Sequence, residues 1–282
     1  MLKTKVKTAE GPRTFRLPTE PTKPETELGR YSMLLYGLEK IGKTSLAAMF
    51  PDAFFLLCES GAKALSLFGE KVHTWREFLG WLDSLDAAPS RFKTVVVDTV
   101  DLAFKFCENA VCQRLGIEHP SEEEWGKGWG AVRNEFALAM LRLVNGPRGV
   151  VFISHATEKE LKRKSGSSSH RIIPTMPGQA RGVLEPMVDI WAYYQYNDDG
   201  GRILTMCGDD SIAAGHRCKD NFVGVQSIDM GKSAEEGYRN YLAAFGKTRG
   251  KSVGTKPATP GTSPEKGAPT NAAKRIVNIV RK

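Results

Sequence analysis

Gly37-Leu38-Glu39-Lys40-Ile41-Gly42-Lys43-Thr44-Ser45 is the stretch that decides the fold. It fits the pattern GxxxxGK[ST], follows the apolar run YSMLLYG at 31–37 and opens into SLAAMF, a helix-forming run. Strand, glycine-rich turn and helix in that order aim backbone N–H groups at one point in space, where they bind phosphate oxygens. Residues 37–45 are therefore read as a cradle for ATP. In it, Lys43 reaches the β- and γ-phosphates and the Thr44 hydroxyl ligates Mg2+.

Further continuous apolar runs follow: AFFLLCE at 53–59, KTVVVDT at 93–99 and GVVFISH at 149–155. Unbroken hydrophobicity, in place of strict alternation, is what strands of a parallel sheet covered on both faces require. Helical patterns at 43–50, 75–86, 99–115 and 130–145 separate or follow them. The succession predicts an α/β fold with a mostly parallel central sheet flanked by helices. MVDIWAYYQY, the turn NDDGG and RILTMC, at 187–207, predict a C-terminal β-hairpin. GHRCKDNF at 215–222 is expected to add a strand or a strand edge.

The chain of 282 residues suits one globular domain. We place that domain at 29–246, after a flexible segment 1–28 and before a basic, disordered linker and short C-terminal segment at 247–282. The net charge of +8 is unevenly spread. Residues 1–30 hold seven basic against four acidic residues, 31–246 hold 24 against 27, and 247–282 hold nine against one. Basic tails bind polyanions or simply keep a protein soluble. In the final stretch AAKRIVNIVRK, Ile276, Ile279 and Val280 fall at helical spacing. No run approaches the roughly 18 apolar residues of a membrane helix and the N-terminus has no signal-peptide core, so a cytoplasmic protein is expected. Cys58, Cys107, Cys112, Cys207 and Cys218 are an odd set without CxxC spacing, which predicts reduced structural thiols. His216 beside Cys218 offers two ligands, too few for a metal site.

Asp98 ends the second of these apolar runs, in the form of a Walker B strand, and is read as the second Mg2+-binding residue; capping the next helix is the other role for an aspartate there. Thr99 stands where many P-loop ATPases carry a catalytic carboxylate. Glu59 is the best substitute, on the expectation that its strand neighbours the P-loop strand, with Asp101 as competitor. Ser154 and His155 lie where a γ-phosphate sensor sits.

These segments, with AGHRCKDNF at 214–222, resemble the RecA-like ATPase core, most closely the phage RecA-like ATP-binding proteins that include single-strand annealing ATPases. The likeness spans about residues 31–224. It implies that Glu59 activates water and that His155 senses the γ-phosphate and relays to DNA, where RecA itself has glutamine. It also implies that Arg217 and Lys219 enter a neighbouring subunit's ATP site, a charge arrangement that speeds phosphoryl transfer. Lys159, Lys162, Arg163, Lys164 and Arg171 fall in a basic loop after the sensor strand, where such proteins contact DNA. Trp125 and Trp129, in EWGKGWG, serve either base stacking or core packing.

The partners implied are single-stranded DNA, further copies of the chain in a filament or ring, and a single-strand DNA-binding protein. The long N-terminal helical domain of bacterial RecA has no counterpart in this chain, which speaks against strand exchange by the full RecA route. Two other readings use the same cradle: an ATP-gated loader or adaptor with little turnover, and a small-molecule or nucleotide kinase. No arginine-bearing lid motif supports the kinase.

Overall fold

The apolar runs form adjacent strands of one sheet. A computed structural model describes residues 17–162 and 168–246. The elements that build the site are β1 (Ser32–Gly37), α1 (Lys43–Ala47), β2 (Ala53–Leu57), β3 (Phe68–Lys71), α2 (Trp75–Ala87), β4 (Thr94–Asp98), α3 (Val100–Leu115), α4 (Lys127–Val144) and β5 (Gly149–Lys162). They are followed by β6 (Ser168–Pro174), α5 (Gly178–Leu184), β7 (Ile190–Tyr196), β8 (Arg202–Thr205), β9 (Gly215–His216), β10 (Ser227–Gly231) and α6 (Ala234–Gly246). The sheet order is β10-β8-β7-β1-β5-β4-β2-β3. Strands β7 through β3 along that path are mutually parallel, while at one side β8 pairs antiparallel with β7 and β10 antiparallel with β8.

All six residues of β1 are buried, as a strand covered on both faces demands. Its alternate side chains enter two separate cores. Leu34 and Tyr36 join Val95, Val97 and Phe152 under α2 to α5. Met33 and Leu35 join Val96, Val151 and Ile153 under α1 and α6. Gly37 ends β1 because β7 leaves no room for a side chain: a Cβ there would lie 2.2 Å from the carbonyl oxygen of Tyr194.

The α/β class, the parallel sheet and the β7–β8 hairpin agree with the sequence reading. Several details differ. Strand β2 does not neighbour β1; β5 and β4 stand between them. The edge strand β3 was not anticipated, because Phe68-Gly69-Glu70-Lys71 is almost wholly exposed and carries no apolar run. The expected basic loop after β5 is largely strand: β5 runs on to Lys162 and returns as β6, with Lys159 opposite Arg171 in an antiparallel ladder. Of 215–222, only Gly215 and His216 pair as strand, on β7. The remainder turns, with Phe222 N–H donating to Cys218 O at 3.0 Å. Arg163 and Lys164, the first 16 residues and the segment 247–282 lie outside the described residues, as do the expectations placed on them.

Candidate functional site

The cavity at the C-terminal edge of the parallel strands is about 390 Å³ and is lined by Glu39, Lys40, Lys43, Thr44, Glu59 and Asp98 among others, with His155 at its side. The loop between β1 and α1 makes its floor. Gly42 adopts φ +103° and Lys40 φ +59°, left-handed conformations that turn successive amides toward one side. The first-turn amides of α1 have no intrahelical acceptor and face the same place. This is a cradle for oxyanions, and its residues fit the phosphate groups of a nucleotide.

Lys43 is 5% exposed although it carries a charge. Its Nζ donates to the carbonyls of Gly37 at 2.9 Å and Leu38 at 2.7 Å, and lies 3.3 Å from His155 Nδ1. An ammonium only donates, so Nδ1 accepts and the imidazole proton sits on Nε2. That Nε2–H points at Glu59 Oε2, 3.1 Å away. Lys43, His155 and Glu59 thus form one continuous chain across the cavity. Burial pulls the pKa of Lys43 down, against the raising influence of Asp98, Glu59, Asp101 and Glu39.

Thr44 Oγ1 donates to Asp98 Oδ2 at 2.7 Å. These are the two protein oxygens a Mg2+ site of this kind needs, since Mg2+ keeps several waters and takes its other ligands from phosphate. No cluster of three or more His, Cys, Asp or Glu suited to a metal ion occurs among the described residues. The pKa of Asp98 is raised, mainly by burial, with the Thr44 hydroxyl acting the other way. Burying this carboxylate costs free energy, which a divalent ion held here would offset.

Glu59 reaches the site by a different route from the one expected. Beyond the end of β2 the chain bends, and the N–H groups of Cys58 and Glu59 both donate to Asp98 O, at 2.7 and 3.1 Å. Glu59 is thereby fixed beside Asp98 through β4, without contact between β2 and β1. Asp101, the competitor, does not line the cavity, and its Oδ1 accepts from Thr175 Oγ1 at 2.6 Å. Burial raises its pKa, opposed by the Thr175 and Ser154 hydroxyls. Ser154 is fully buried below the site, and His155 opposite it closes the cavity wall.

The AAA domain family matches residues 30–218, well over half of the chain. The chain belongs to the AAA domain family. An AAA domain is of P-loop ATPase type, which implies nucleotide binding. One curated relative, the SPbeta prophage-derived uncharacterized protein YorG of Bacillus subtilis (strain 168), is 25% identical over 161 residues. The match covers 55% of this chain and 46% of that protein, so the chain spans less than half the length of the relative.

Within this AAA domain, Lys43, Thr44, Ser45, Glu39, Lys40, Gly42, Glu59, Asp98 and His155 share one cavity. Gly37, Leu38 and Ile41 complete the loop; Gly37 and Leu38 supply carbonyls to Lys43, and Ile41 is wholly buried beneath it. Arg217 and Lys219 are not brought there. Arg217 N–H donates to Asp189 O at the start of β7, and its guanidinium donates to Pro186 O. Both residues therefore sit at the opposite edge of the sheet from the P-loop of the same chain. Arg171 also departs from the basic set: its Nε is buried, while Lys159 is exposed. Trp129 is half-buried against the core and lies edge-on to His119 at 5.4 Å, whereas Trp125 is 91% exposed at φ +58°.

Two supporting residues were not foreseen. Thr175 links Asp101 to β5 at His155, whose carbonyl accepts from Thr175 N–H at 3.0 Å. Arg202 Nε donates to Ile41 O at 2.7 Å and Nη1 to Lys232 O at 2.7 Å, bracing the loop from the hairpin side. No motif marks either; only the three-dimensional pairing of distant segments brings them in. No helix among the described residues is long and apolar enough to cross a membrane.

Proposed function

We propose that this chain is a Mg2+-dependent ATPase acting on single-stranded DNA in phage-type recombination or annealing. The observation that carries the reading is the continuity of β5. Its residue His155 touches both Lys43 and Glu59, and the same strand runs outward to Lys159 and Lys162 on the β5–β6 arm. An arm rooted on a residue that contacts the cradle is positioned to couple phosphate contacts outside to nucleotide state inside. The prophage origin in the relative's name supports the phage setting.

In this reading ATP, when bound, supplies a γ-phosphoryl group for transfer to water. Glu59 accepts the proton of that water, and His155 Nε2–H orients the carboxylate. Lys43 and the loop amides balance charge on the phosphate chain, and Thr44 with Asp98 holds Mg2+. Arg217 and Lys219, remote from their own P-loop, are offered to a second copy's site in a filament or ring. Lys159, Lys162, Arg163 and Lys164 contact DNA phosphates, with a single-strand DNA-binding protein as a further partner.

The test is ATP turnover with and without single-stranded DNA, together with DNA affinity across a salt series. Four phosphate contacts predict a fall in affinity of about 50-fold between 50 and 200 mM salt, from the counterion-release slope for single strands. Turnover is expected to rise when DNA is added. Unstimulated turnover with salt-insensitive binding rules the DNA role out.

A further inference from the structure

Most carbonyls of the glycine-rich loop that carry a hydrogen bond are held from within the segment itself. Gly37 O and Leu38 O accept from Lys43 Nζ, and Gly42 O accepts from Leu46 N–H at 2.9 Å in α1. Ile41 O is held from far away: its donor is Arg202 Nε at 2.7 Å, on the first residue of β8. The guanidinium is itself fixed. Its Nη1 donates to Lys232 O at 2.7 Å, and the group lies 5.8 Å from the ring centroid of Tyr196, the partner of Arg202 in the β7–β8 ladder.

What this contact does follows from the peptide unit. The Ile41–Gly42 peptide is trans, so its C=O and N–H point in opposite directions. Arg202 takes the carbonyl on one side, and the Gly42 N–H is thereby turned to the other. Gly42 lines the nucleotide cavity, whereas Ile41 and Arg202 do not. Among the described residues the Gly42 N–H has no backbone acceptor, so it is left for a ligand.

The loop has no strong lock of its own at this peptide. Gly42 stands at φ +103°, and beyond its chain neighbours the atom nearest to a Cβ there would be Arg202 Nε, at 3.7 Å. Glycine takes φ of either sign at little cost, so the peptide is free to rotate and present its carbonyl to the cavity. An oxygen in that place repels a phosphate that the N–H would bind. A charge-assisted hydrogen bond to the carbonyl is strong enough to decide between the two orientations.

We propose that Arg202 is a positioning residue of the nucleotide site: by holding Ile41 O it keeps the Gly42 N–H aimed at the phosphate chain. This role rests on residues 37–45 being a nucleotide cradle, and it adds to that cradle a residue of the hairpin that does not line the cavity.

The dipeptide Ile-Gly occurs once in the chain. Full-length protein carrying carbonyl-13C isoleucine and 15N glycine therefore gives a single carbonyl-filtered amide resonance, that of Gly42. In the wild type, Mg2+ with a non-hydrolysable ATP analogue should move its proton downfield, as a hydrogen bond to phosphate does. In Arg202→Met, which keeps the stem and removes the donors, the Ile41 carbonyl carbon should shift upfield before nucleotide is added. The downfield movement on binding should shrink, and affinity for the analogue should fall about tenfold or more. Arg202→Lys, which keeps a charged donor, should lie between the two in affinity, and it serves if the methionine variant does not fold. A wild type that does not bind the analogue overturns the cradle and this role with it. Binding by the wild type without movement of the Gly42 resonance overturns the role of Arg202 alone. Equal affinity and equal resonance movement in wild type and Arg202→Met do the same.

Discussion

Glu59→Gln is expected to lower ATP turnover by about 10²- to 10⁴-fold while ATP affinity changes by less than about threefold. The amide keeps the shape and still accepts from His155 Nε2, so the chain Lys43–His155–Glu59 survives in geometry. What disappears is a carboxylate able to take a proton from water. Asp101 cannot replace it, because its Oδ1 is tied to Thr175 and it does not line the cavity. Single-turnover kinetics with a separate binding measurement checks the result. Equal, slow hydrolysis by wild type and variant, with nucleotide still controlling partner binding, would favour the ATP-gated loader over the ATPase.

Lys43→Ala is expected to weaken ATP binding by about 100-fold or more. Two charge-assisted contacts to phosphate oxygens at about 1.5 kcal/mol each give a loss of about 3 kcal/mol. The change is not expected to unfold the protein, since burial already disfavours the ammonium and alanine removes that desolvation cost. Fluorescence titration with an ATP analogue, beside a far-ultraviolet circular dichroism spectrum of each protein, reads both quantities. Undiminished affinity in a folded variant would remove the phosphate role of residues 37–45.

The parts of the fold that the sequence discloses are those whose burial is nearly complete. The strands β1, β2, β4 and the first half of β5 announce themselves by unbroken apolar runs, and the P-loop by a motif whose residue types are dictated by backbone geometry. The order of strands was less accessible. The expected adjacency of β2 and β1 fails because nothing local in Ala53-Phe54-Phe55-Leu56-Leu57 encodes which neighbour it pairs with. Glu59 nevertheless lines the cavity, because the bend held by Asp98 O delivers it there. The β5–β6 arm reads as a loop because Ser168-Ser169 and the charged positions around them carry weak strand signals, and pairing across the ladder supplies what propensity lacks. Thr175 and Arg202 leave no trace in pattern or spacing; each acquires its meaning from a segment far away in the chain.

The central claim is that the cavity between Lys43 and Asp98 is a Mg2+–ATP site, and its charge states the sharpest condition. Glu39, Glu59, Asp98 and the nearby Asp101 outnumber Lys40 and Lys43, so an unaccompanied triphosphate meets net negative charge. Calorimetric titration of the wild-type chain with a non-hydrolysable ATP analogue, once with Mg2+ and once with the metal chelated, therefore tests it most directly. One analogue per chain should bind with Mg2+ present, at least about tenfold more tightly than without it. Absence of heat in both titrations, or affinity indifferent to the metal, would contradict the assignment.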